Sequence, residues 1–159
     1  MMKPKSKLTV IGMGSLIKSD DGIGIQILRK LKENEELKEV PLLEVGTSPM
    51  NYLEKISNSK IIIGIDAVYG GEGPGSIYRF TLDEIERKGE TRKDAHGFSL
   101  PDVIELARAR TGFPIEVIIY GIEPLDLSLN IQLSSPVKKA LPKAVTEIKK
   151  EIKQISSAG

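Results

Sequence analysis

The 159-residue chain contains no cysteine, no tryptophan and a single histidine, and its aromatic content is only 4%. Without cysteine there can be no disulfide, no thiolate metal ligand and no thiol nucleophile. Any imidazole chemistry must fall to His96. Scarce aromatics leave few platforms for stacking bases. The formal net charge of +1, with lysine and arginine scattered, offers no basic stripe. Nucleic acid is therefore not an expected partner. A membrane is not expected either, because no run approaches the roughly 20 apolar residues of a spanning helix. Lys3, Lys5 and Lys7 precede an apolar stretch that loosely mimics a secretion signal. No small-residue cleavage site follows, so a buried first strand is the better reading and a cytoplasmic location is expected.

What is present is an ordinary globular composition, 40% apolar and 28% charged, in a length that suits one domain over residues 1–159. Four segments, 7–12, 41–46, 60–68 and 115–123, are β-branched and continuously apolar. Such runs suit strands covered on both faces. A fifth, 75–80, alternates and reads as an edge or hairpin strand. Between them lie helical patterns with legible ends. Ile23, Ile27, Leu28 and Leu31 share a face of a helix that Asp20 or Asp21 can cap. Ser48-Pro49 opens a short helix, and Ser99 with Asp102 has capping-box spacing ahead of a helix that Gly112 closes. Ser135-Pro136 opens the last helix, with Leu141, Val145, Ile148, Ile152 and Ile155 as its stripe; Pro142 predicts a kink or a late start. The alternation predicts an α/β fold: a three-layer α/β/α sandwich with a mostly parallel sheet of about five strands.

In such sheets, sites form at the carboxyl ends of the strands. Asp20 and Asp21 follow the first strand, Asp66 ends "KIIIGID", and His96 sits ahead of the capped helix. The first turn is not a dinucleotide fingerprint: Gly12 and Gly14 match, but Ile17 holds the third glycine position, and Glu44 comes too late. There is no phosphate-binding G-K-[ST] either, so no organic cofactor is expected. One aspartate at a helix start is explained as a cap. Two adjacent ones cannot both cap one helix equally well, and a surplus buried charge calls for a cation or a proton donor. Asp66 read alone is a turn-former before a glycine-rich, mobile-looking loop, and Glu123-Pro124 reads as loop chemistry. Taken together, two carboxylates and one imidazole make an O,O,N set that leaves coordination positions open and suits Ni²⁺ or Zn²⁺ alike.

At this point the residues resemble a known family. "IGMGSLIKSDDGIG", "IDAVYGGEGPGSIYRF", "DAHGFSLPDVIELA" and, last, "GIEP" with "LSSPV" are similar, in order, to the signature blocks of the hydrogenase maturation proteases. The resemblance implies a twisted sheet flanked by helices on both faces, phosphorylase/hydrolase-like. It implies an endopeptidase that removes a C-terminal extension from the large-subunit precursor of a [NiFe] hydrogenase after nickel insertion. It carries the cation-binding residues onto Asp21, Asp66 and His96, with nickel supplied by the substrate. High specificity for one large partner makes a monomer the expected state. Nickel could act as Lewis acid and template, or Asp21 or Asp66 could act as general base on a water. Ser15 stands where most members carry Asn, and "LDLSLNIQ" departs from the expected aromatic-and-glycine pattern in a region that could contact the substrate. Two rival functions predict different behaviour. A non-catalytic precursor- or nickel-binding chaperone would cut nothing, and a generic metal-dependent peptidase would cut unrelated peptides.

Overall fold

In the computed structural model, which describes residues 3–84 and 99–158, the apolar runs become β1 (Ser6–Met13), β2 (Leu42–Gly46), β3 (Ser59–Ala67) and β5 (Glu116–Ile122). The alternating run becomes β4 (Ile77–Thr81). They form one sheet in the order β2-β1-β3-β5-β4. β2, β1, β3 and β5 are mutually parallel, and β4 lies antiparallel on the edge beside β5. The edge assignment follows from its half-buried, alternating side chains.

The described helices are α1 (Ile23–Lys32), α2 (Leu53–Ser57), α3 (Leu100–Thr111) and α4 (Ser135–Ser157). Because successive strand residues face opposite ways, the sheet supplies two separate cores. Leu8, Val10, Ile63, Ile65, Ile118 and Tyr120 pack against Ile23, Ile27, Leu28 and Leu31 of α1 and Ile148 and Ile152 of α4. On the other face, Ile11, Ile62, Val117 and Ile119 pack against Ile56 of α2 and Val103, Ile104 and Ala107 of α3. Each fully buried isoleucine or leucine contributes roughly 1.5–3 kcal/mol over its exposed state. The result is the three-layer sandwich.

Local signals behave largely as their chemistry requires. Ser99 Oγ accepts from the Asp102 amide at 3.3 Å, and the Asp102 carboxylate accepts from the Ser99 amide at 3.0 Å. Gly112 ends α3 in the left-handed region at φ 85°. Pro49 opens a 3-10 turn that leads into α2. In α4 there is no late start: the helix begins at Ser135 and runs continuously past Pro142. Its N-cap residue, Ser134, makes no side-chain cap bond, because its hydroxyl is engaged elsewhere.

The chain reverses its direction of travel across the sheet between β1 and β3. β1–α1–β2 builds outward to one side, and α2 then returns the chain past β1 to β3. The carboxyl ends of β1 and β3 thus flank a topological switch point, where a crevice opens in open α/β sheets.

Candidate active site

β1 ends at Met13, and Gly14 turns the chain at φ 108°. A side chain is excluded here twice over. The dihedral lies in the region that favours glycine, and a β-carbon on Gly14 would sit 1.9 Å from the carbonyl oxygen of Asp21 and 3.4 Å from Asp66 Oδ1. The Asp21 backbone and the Asp66 side chain therefore both close on Gly14. The adjoining start of α1 is as tight: a β-carbon on Gly24 would lie 2.2 Å from the Ile65 carbonyl oxygen and 2.6 Å from that of Met13.

Residues 15–22 form a strap over the switch point, ending in a buried 3-10 turn, Ser19–Gly22. Neither aspartate caps α1, contrary to the expectation from sequence; its N-cap is Gly22, with no side-chain bond. Asp21 instead caps its own strap, its Oδ2 accepting from the Ser15 amide at 2.8 Å. Asp20 points away, to the chain that follows β5. Its carboxylate accepts from the amides of Leu125 (2.8 Å), Asp126 (2.9 Å) and Ser134 (2.7 Å) and from the Ser134 hydroxyl (2.6 Å). Burial pushes this carboxyl up, but the Ser134 hydroxyl and the three amides outweigh it and hold the group below its usual range. The pair of acids is thus explained by two different tasks. One latches a distant loop, and the other stands at the switch point.

Asp66 lies next to last on β3, its Oδ1 accepting from the Ala67 amide at 2.8 Å. Burial pushes its carboxyl up to about 7, with the Ala67 amide opposing only in part. A carboxyl so placed exchanges its proton near neutrality, where a general base works best. His96, the third expected ligand, lies outside the described residues. Among the described residues no three His, Cys, Asp or Glu side chains converge to hold a metal. Asp21 and Asp66 both lie at the switch point, and carboxylate oxygens are hard donors suited to a divalent cation.

Glu123 does more than sequence reading assigned to it. At the end of β5 its carboxylate accepts from the amides of Gly70 (3.1 Å), Gly71 (2.8 Å) and Gly73 (3.0 Å) and from the Tyr78 hydroxyl (2.6 Å). The Tyr78 hydroxyl is the main influence holding Glu123 below the usual carboxylate range, against the opposing effect of burial. The glycine-rich loop after Asp66, which looked mobile in sequence, is thereby tied down. The available signal was an acid at the end of an otherwise apolar strand, facing a loop full of unpartnered glycine amides.

The model of the hydrogenase maturation protease family matches residues 25–151. The chain belongs to this family. The protease is 25% identical over 144 residues to the hydrogenase 2 maturation protease of Escherichia coli, covering 89% of this chain and 88% of that one. Among solved structures, it resembles the [NiFe] hydrogenase maturation protease HybD of Thermococcus kodakarensis with a TM-score of 0.74, at 28% identity over 91% of this chain and 97% of that one. The hydrogenase maturating endopeptidase HybD of Escherichia coli shares the fold, with a TM-score of 0.80 at 23% identity and 93% of both chains covered. The protease is accordingly a peptidase and not a mere binding factor. No described helix is long and apolar enough to cross a membrane.

Proposed function

We propose that this protease removes the C-terminal extension of a [NiFe] hydrogenase large-subunit precursor in the cytoplasm, once nickel is in place, with the substrate's own nickel as the recognition element. The observation that supports the reading is that the Asp21 backbone and the Asp66 side chain both pack on Gly14, which puts the two residues at the switch point of a family member's sheet. Two buried carboxylates at one switch point call for a proton or a cation. A precursor that brings nickel to this point supplies the cation, and with His96 the set becomes O,O,N. A precursor without nickel leaves that place unfilled. Nickel recognition then doubles as a check on cofactor insertion. Asp66, with its carboxyl near 7, is placed to take a proton from the attacking water at neutral pH.

The deciding measurement is the intact mass of a candidate precursor incubated with the protease, with and without prior nickel loading. Loss of a C-terminal peptide from the loaded form alone is the expected result. Cleavage of both forms would keep the peptidase and discard the metal check. Asp21→Asn, Asp66→Asn and His96→Ala should each abolish processing with the fold retained, as read by circular dichroism. Normal processing by Asp21→Asn would remove that carboxylate from the site.

A further inference from the structure

The segment after β5 leaves its aliphatic side chains in water. Leu125, Leu127, Leu129 and Ile131 alternate in sequence with Asp126, Ser128 and Asn130, and all seven residues are exposed. Leu129 is 80% exposed, Ile131 73% and Leu125 59%; Ile17, on the adjoining strap, is 59% exposed. Single exposed apolar residues need no explanation, but a contiguous set marks an interaction surface.

This set is held rigidly. The Asp126 carbonyl accepts from the Asp20 amide at 3.0 Å, and the Asn130 carbonyl from the Ser19 amide at 2.8 Å. The Asn130 amide donates to the Ile17 carbonyl at 3.0 Å, and the Ser19 hydroxyl to the Ser128 carbonyl at 2.7 Å. The Asp126 and Asn130 side chains spend themselves on the nearby amides of Ser128 and Gln132. Asp20 locks both ends of the segment, at Leu125–Asp126 and at Ser134. An aliphatic surface fixed in advance loses little conformational freedom on binding. The segment is sewn to the strap that carries Asp21, so it forms one rim of the switch point at which Asp21 and Asp66 lie.

We infer that this rim, Ile17 with Leu125, Leu127, Leu129 and Ile131, is the docking surface for an aliphatic patch on the large-subunit precursor, and that it sets affinity rather than chemistry. The inference rests on the function proposed above. Continuity with the carboxylates selects the occupant: whatever brings a scissile segment to Asp21 must lie against this rim. A second copy of the chain seated here would close the mouth to a protein substrate.

The test is steady-state cleavage of nickel-loaded precursor by the wild type, by Leu129→Ser/Ile131→Ser, and by Ile115→Ser. Ile115 is 57% exposed, but it precedes β5, which runs parallel to β3, and so lies at the opposite end of the strands from the site. We expect the double variant to lose about tenfold or more in kcat/KM through a raised KM. Its kcat and melting temperature should be unchanged, and Ile115→Ser should behave as wild type. An unchanged KM in the double variant would overturn the inference while wild-type cleavage keeps the proposed function. An equal KM effect from Ile115→Ser would overturn it too, as would a wild-type dimer in light scattering that the double variant dissociates. Failure of the wild type to cut the loaded precursor would overturn the function and this inference together.

Discussion

Asp66 carries the strongest tension between stability and function at the level of a single side chain. Its carboxyl is pushed from the ordinary 3.8 up to about 7 by burial. Between about pH 4 and pH 7 the folded chain therefore holds a proton that the unfolded chain has released, so this residue's contribution makes stability fall as pH rises through that window. Asp66→Asn removes the ionisation and can still accept from the Ala67 amide. With a chelator present, urea unfolding at pH 8 should find the variant more stable than wild type, by on the order of 1–3 kcal/mol. The gap should close toward pH 4. An equal gap at both pH values would show that burial of charge is not the cause. The residue type and its strand-end position were legible in the sequence; the shifted proton affinity was not, because it depends on what surrounds the carboxyl in space.

Among the elements, the loop between β3 and β4 is the least self-sufficient. Three glycines, Gly70, Gly71 and Gly73, bring amides but no side chains, and Glu123 supplies the acceptors for all three from the end of β5. Glu123→Gln keeps one acceptor oxygen and turns an NH₂ group toward an amide that needs an acceptor. Amide exchange at Gly70, Gly71 and Gly73 should quicken, while the amides of β1 and β3 keep their protection. Unchanged exchange in the loop would mean that Tyr78 and the turn at Gly75 suffice without the carboxylate. Strands, the capping box and closing glycine of α3, and the edge position of β4 could be read directly, since each is written within a few neighbouring residues; the cap of α1 could not. Pro142 did not delay the helix: α4 runs through it because tertiary packing of Ala144, Ile148 and Ile152 on the sheet outweighs one missing backbone bond.

Across the whole molecule the decisive tie is Asp20, which joins the strap after β1 to residues 105–114 positions away. The buried Asp20 carboxylate satisfies three part-buried amides and a hydroxyl and cannot be truncated cheaply, since each buried polar group left unpaired costs about 1–3 kcal/mol. Asp20→Ala should lower stability by roughly 3–5 kcal/mol, with Asp20→Asn losing less, and should quicken amide exchange across residues 125–134. Its carboxyl is held below the usual range, so the stability it brings is present above about pH 4 and is lost as pH falls through the folded value. Chemical denaturation from pH 7 down to pH 3 should show wild type converging on Asp20→Ala. A loss of only about 1 kcal/mol would leave Asp20 no more than the helix cap that the sequence allowed it to be.

The sequence by itself determined the strands of the sheet, most of the cores and the family, because periodicity and signature blocks are local and repeat along the chain. It also placed Asp21 and Asp66 after strand ends, since strand ends fall at predictable places in an α/β fold. Only the tertiary structure decided how the two adjacent aspartates divide their labour, that Glu123 holds the loop beside Asp66, and that the leucines after β5 face water at the rim of the site. Each of these depends on hydrogen bonds or exposure set by residues some 45 to 114 positions apart, and no local pattern specifies which distant amide a carboxylate will find.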